Sequence, residues 1–237
     1  KKRGKELHNM NILKSIKNLN KYELALWFGS MALLLAAFII TPNKDVLNFA
    51  ATLIGVTSLI LNAKGDALGQ VLMVIFSVLY GIISFRFRYY GEMITSLGMT
   101  APIAAMSVIT WIRNPYSDRE VRVSHMNLKK WIILIISTVI VTWIFYYILR
   151  YFETPNLPLS TISITTSFMA ASLTMLRSPY YAIFYSLNDI VLIALWVLAT
   201  MENPIYYSMI MCFSIFLIND LYGFYSWKKM RKRQEEW

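Results

Sequence analysis

Residues Tyr181–Trp196 read YAIFYSLNDIVLIALW. The run is apolar enough to cross a bilayer, yet it carries Asn188 and Asp189 near its middle. On a helix turning about 100° per residue, Tyr185, Asp189 and Trp196 share one stripe within roughly 40°, with Tyr181 just above. One face then sets a carboxylate between aromatic rings at bilayer depth. A charge there costs about 2.5–3.5 kcal/mol on insertion scales and normally faces a bundle interior or a water-filled pathway. Two roles stay open for Asp189: a bond to a neighbouring helix, or contact with a ligand.

The rest of the chain supports a membrane setting. Its 237 residues are 57% hydrophobic and 15% charged, and its mean hydropathy is +0.50. A soluble domain has about 45–50% apolar and about 25% charged residues. The net charge of +10 lies in tails and loops beside apolar runs. Topology and anionic headgroups account for it, and no nucleic-acid partner is expected. The single cysteine, Cys212, sits in an apolar run and excludes an intrachain disulfide. The basic start, Lys1 to Lys21, leads into a full-length span, so no cleavable signal is expected.

Eight apolar segments are long enough for spanning helices: Leu24–Ile40, Val46–Leu61, Leu68–Ser84, Met93–Ile112, Trp131–Leu149, Leu159–Leu176, Tyr180–Thr200 and Ile205–Trp227. Continuous apolar runs of this length favour helices over barrel strands. If all eight cross, only four of the 23 Lys and Arg face outside: Lys44, Arg86, Arg88 and Arg150. Both termini are therefore expected in the cytoplasm. The chain divides into a basic segment (1–23), one transmembrane domain (24–227) and a basic tail (228–237). Thr41-Pro42-Asn43, Asn62–Asp66, Asn114-Pro115 and Glu202-Asn203-Pro204 supply the turns. Pro102 should kink the fourth span, as a hinge or as ordinary packing.

Short loops join spans two to four and again spans six to eight. Span five stands alone between them. The pattern is three, one, three, with an extra helix in front. Repeat one covers about 46–112, the linker helix about 131–149, and repeat two about 159–227. An odd number of intervening spans makes the two trios parallel repeats.

Polar residues recur inside the spans. Close helix packing accounts for any single Ser or Thr. As a set, Gln70, Thr165, Thr166, Asn188 and Asp189 are expected to converge on one cavity between the trios, with Tyr80, Tyr185 and Trp196 as flat walls. Hydrogen-bonding groups plus rings suit a small polar ligand with a planar aromatic part. Phosphate-cradling, HExxH and Cys/His motifs are absent, and His8 and His125 fall in solvent-facing segments, so no cofactor, metal or enzymatic role is expected. One remote enzymatic alternative uses Asp189 and Asp220 as a hydrolytic pair. Neither has the GxGD context of intramembrane aspartyl proteases, and Asp220 is expected lower in the membrane.

Tyr185–Trp196 resembles the signature of PnuC-type vitamin transporters: two Trp three apart, three residues, an Asn or Asp, six more, and an aromatic. Asp189 and Trp196 match, while Ala182 and Tyr185 occupy the two Trp positions. Asn62–Gly65, Tyr90-Gly91-Glu92, Phe216–Asp220 and Tyr222-Gly223 follow in the family's order, so the resemblance covers about Val46–Trp227. It implies a SWEET-like three-one-three fold with an added first helix, and a homotrimer in the bacterial cytoplasmic membrane. It implies facilitated diffusion of nicotinamide riboside, trapped afterwards by cytosolic phosphorylation. Relatives carry thiamine or riboflavin, which with a deoxynucleoside remain alternative substrates. It also implies that Tyr185, Asp189 and Trp196 line the substrate site. An Asp at 189 suits a cationic pyridinium ring or a ribose hydroxyl.

Overall fold

A computed structural model describes residues 12–40 and 44–236. His8 and the Thr41-Pro42-Asn43 turn lie outside them. The described chain is all-α apart from a two-strand hairpin. A short helix α1 (Ile12–Lys17) precedes α2 (Lys21–Ile40), α3 (Val46–Ala63) and α4 (Ala67–Arg86). The fourth span divides into α5 (Tyr90–Thr95), a π-helical stretch Ser96–Thr100, and α6 (Ala101–Arg113). Strands β1 (Pro115–Ser117) and β2 (Glu120–Val121) form the hairpin. Then come α7 (Leu128–Tyr151), α8 (Leu157–Met175), α9 (Tyr181–Glu202) and α10 (Tyr207–Glu235). Among the described residues, seven helices are long and apolar enough to cross a membrane; hydroxyl-rich α8 is not one of them.

Local chemistry sets the ends. Asp45, Asp66 and Asn127 cap α3, α4 and α7, each side chain accepting a backbone N–H of the first turn. At the far end of α3, Asp66 N–H bonds Leu61 O and Gly65 N–H bonds Asn62 O, with Gly65 at φ 70°. This is the paired closure that needs a left-handed residue, for which glycine is the least costly. The same pair of bonds closes α8, from Ser178 to Leu173 and from Arg177 to Thr174. The expected break at Pro102 takes the form of the π stretch. Ala101 N–H reaches back five residues to Ser96 O, and Pro102 begins α6 with no N–H to give.

The two trios pack alike. α4 lies on α3 and α6; α9 lies on α8 and α10. Across the trios, α10 meets α3 as α6 meets α8. The flanking helices follow suit, α2 on α3 and α7 on α8. Two crossed clasps hold the trios together at one end. Trp111 Nε1 donates to Thr174 O (2.9 Å) and Thr110 Oγ1 to Met175 O (3.1 Å). In the mirror pair, Trp227 Nε1 donates to Asn62 O (2.7 Å) and Ser226 Oγ to Ala63 O (2.7 Å). The two indoles meet with centroids 5.4 Å apart.

The loop after α6 ties down the same end. Val121 N–H bonds Gly65 O, and Ser124 N–H bonds Arg177 O. Lys64 pairs with Glu23, Arg119 with Asp66, and Arg233 with Glu120. α10 runs on unbroken through the basic stretch after Trp227. At the opposite end, Arg86 pairs with Asp45.

Candidate functional site

Asp189 is 3% exposed and Asp220 4%. α9 and α10 pack side by side, and their carboxyl groups come within hydrogen-bonding reach of one another. Asp220 therefore stands level with Asp189, correcting the expectation that it lies lower. The reason is where α10 begins: it is aligned against α9 by packing, which the length of the preceding loop does not report. Oδ2 of Asp189 is buried and accepts from no N–H or hydroxyl donor among the described residues. Side by side and buried, the two carboxyls hold at most about one charge between them, which a cationic group would favour.

Aromatic groups flank this pair along α9. Toward the clasped end, Tyr181 packs on Trp227 (5.0 Å) and Tyr185 (6.1 Å). Tyr185 lies beside Thr174 and both carboxyls. Toward the other end, Trp196 is fully buried against Tyr89 (4.7 Å) and Tyr206 (5.7 Å). Tyr80 stands next to Trp196 and donates to Glu92 Oε2 at 3.4 Å. Among the described residues Ser77 Oγ is buried there without a partner, while Tyr80 lies within hydrogen-bonding reach of Trp196 and Ser84. Unpaired buried polar atoms are uncommon in a finished core and mark places where a ligand can bond.

The structure divides the expected site residues. Asp189, Tyr185, Tyr80 and Trp196 border the carboxyl pair or its flanking rings. Asn188 turns to α8, where its Oδ1 accepts from Ser163 (3.2 Å), Thr166 (2.9 Å) and Ser167 (2.9 Å). Asn188 and Thr166 thus form a joint between α8 and α9. Thr165 points elsewhere: its hydroxyl pairs with Thr142 of α7 at 3.0 Å. One residue is about 100° on a helix, so neighbouring threonines serve different partners. Gln70 Nε2 donates to Asn62 Oδ1 (2.8 Å) and so braces the α3–α4 hairpin.

Asp189, Tyr80 and Trp196, expected to line an open hollow, are buried side chains at 3%, 7% and 0% exposure. The two cavities described lie elsewhere. One is a cleft of about 610 Å³ at the basic end, bordered by Glu23, Lys64, Tyr222 and Arg233. The other is small and sits among Phe38, Asn48 and Met211. Tyr181 and Tyr185, both of α9, stand beside the carboxyls.

The family model described as nicotinamide mononucleotide transporter matches residues 45–229. The chain belongs to the nicotinamide mononucleotide transporter family. It is 22% identical over 202 residues to the nicotinamide riboside transporter PnuC of Neisseria mucosa, covering 83% of this chain and 76% of that protein. The corresponding protein of Haemophilus influenzae is 27% identical over 200 residues, covering 83% and 85%. The crystal structure of the vitamin B3 transporter PnuC superposes with a TM-score of 0.80 at 21% identity, covering 92% of this chain and 94% of that one. The fold of this family member is thereby established as all-helical and PnuC-like.

Several residues around the site escaped sequence reasoning. In the sequence Asp220 stands out as a hydrolytic candidate and as the end of the Phe216–Asp220 segment, and Glu92 as part of a short motif, neither as a site residue. Tyr89 and Tyr206 sit in connections between helices, where nothing in the local pattern announces a ring facing inward. The clasp did leave a trace. Thr110-Trp111-Ile112-Arg113 and Ser226-Trp227-Lys228-Lys229 share a hydroxyl, a tryptophan and a cation at the same spacing.

Proposed function

We propose that this chain carries nicotinamide riboside across the cytoplasmic membrane of a bacterial cell by facilitated diffusion. The observation that carries the proposal is the Asp189–Asp220 pair, buried between two aromatic groups. Nicotinamide riboside is a planar cation on a ribose, and this site opposes a charge to the ring and flat surfaces to its faces. Tyr185 and Trp196 stack, Tyr80 closes the outer wall, and Asp189 takes the pyridinium charge or a ribose hydroxyl. Asn188 and Thr166 fix the α8–α9 joint that positions Asp189, and Gln70 steadies the first trio.

α8 is the eighth crossing. It starts near the end of α7 and finishes at the basic turn, as a spanning helix must. Its hydroxyls bond back into the helix, Thr161 to Leu157 O and Thr174 to Ala170 O, so few donors are left to face lipid. The matched packing of the trios supports the three-one-three parallel repeat, with α7 as linker and α2 in front. The basic end lies in the cytoplasm with both termini. Transport proceeds as the trios rock about the site. The carrier works as a homotrimer, and cytosolic phosphorylation of the product keeps the flow inward.

Purified protein in liposomes should equilibrate labelled nicotinamide riboside with no ion gradient. Thiamine, riboflavin and deoxynucleosides should compete weakly. Uptake of one of these with none of nicotinamide riboside would reassign the substrate. The meeting of two carboxyls also favours a second reading, an aspartate-pair hydrolase. Peptide cleavage lost in both Asp189→Asn and Asp220→Asn would establish that instead.

A further inference from the structure

Arg177 lies in the turn between α8 and α9, one residue past the α8 cap. Its φ is 58°, in the left-handed region. Its twin in the first trio is Gly65, for which that conformation is natural. Arg88 and Glu153 also adopt it, so the backbone alone marks nothing. The side chain does. Nε and Nη1 of Arg177 are both buried, and neither has a hydrogen-bond partner among the described residues. Guanidinium nitrogens taken from water and left without acceptors are costly.

Among the described residues Arg177 forms no ion pair. Burial, and secondarily the like charge of Arg122, hold its guanidinium below the ordinary range. Lys130 stands beside the same segment, with Nζ donating to Ser124 Oγ (3.0 Å) and His125 O (2.9 Å). Three acids of this end are engaged elsewhere. Asp66 takes Ser15 and Arg119, Glu120 takes Arg233 and Gln234, and Glu235 takes Arg231 and His125. Trp131, which follows Lys130 in sequence, packs at 5.7 Å on Tyr180, in the same turn as Arg177. Such rings collect at headgroup level.

We infer that Arg177 and Arg122, with Lys130 beside them, hold the phosphate of an anionic phospholipid at the basic end of the bundle. Phosphate oxygens supply charge-assisted acceptors for the guanidinium, whose Nε and Nη1 have none among the described residues. The need for that contact explains an arginine where the twin turn uses glycine. This site is independent of the substrate assigned to the carrier.

The test is thermal unfolding and native mass spectrometry of the full chain in detergent, with phosphatidylglycerol, phosphatidylcholine or inorganic phosphate added. Wild type should be stabilised by phosphatidylglycerol and not by phosphatidylcholine. Arg177→Gly, which copies the twin turn, should fold at least as well in detergent. It should bind phosphatidylglycerol roughly tenfold more weakly, the loss of about one charge-assisted contact. Arg122→Gln, at an exposed position, should weaken it in the same direction and serves if Arg177→Gly does not fold. An unchanged phosphatidylglycerol response in these variants would overturn the inference. A shift of equal size with inorganic phosphate alone would overturn the lipid assignment and leave a soluble phosphate site.

Discussion

The turn from α3 to α4 and the turn from α8 to α9 do the same work with different residues. Both close a helix with a left-handed residue and two reversed backbone bonds. Both offer the last carbonyls of that helix to a tryptophan and a hydroxyl from the opposite trio. Yet Asn62 stands opposite Thr174, Gly65 opposite Arg177, and Gln70 opposite Ala182. Acceptance is by backbone carbonyls, so the accepting side chains are free to differ. Donation is by side chains, so Trp and Ser/Thr recur. The difference teaches where internal symmetry resides in this fold: in donors and backbone.

The strongest way to break the comparison is to remove one indole at a time. Trp111→Ala and Trp227→Ala should each cost about 3–5 kcal/mol, from lost burial plus an unpaired carbonyl. Denaturant unfolding in detergent checks both. Equal losses support the twofold clasp; one large and one silent result would break it. Next in size, Trp111→Phe and Trp227→Phe keep a ring but lose the donor, and should cost about 1–3 kcal/mol. Thr110→Ala and Ser226→Ala should be smaller, about 0.5–1.5 kcal/mol each by the same measurement. Gly65→Ala should cost about 1 kcal/mol, because it puts a Cβ on a left-handed residue. The turn around Arg177 already carries that cost, so Arg177→Ala should show much less.

The helices were legible because apolar runs and their punctuation report directly on burial and capping. Leu24–Ile40 became Lys21–Ile40, and Val46–Leu61 became Val46–Ala63. α10 ran past its expected end because Lys228–Glu235 are good helix formers and Arg231 pairs with Glu235 one turn on. The π stretch was not legible: Pro102 signals a break, but where the ladder is re-registered depends on Ser96 reaching Ser77 O on α4. At the site, the Tyr185–Asp189–Trp196 stripe could be read from helical period alone. The partner of Asp189 could not, because the level of α10 against α9 is set by packing. Thr165 bonds Thr142 on α7 and Gln70 bonds Asn62 across the hairpin, pairings that helical period alone does not report.

The most direct measurement compares two forms of one substrate in liposomes. Nicotinamide riboside carries a positive ring, while its dihydro form is neutral and nearly the same shape. Wild type should favour the cation, and Asp189→Asn should lower uptake of the cation by roughly tenfold or more while the neutral form changes little. Unchanged discrimination in Asp189→Asn would mean that the buried carboxyl pair does not recognise the transported molecule.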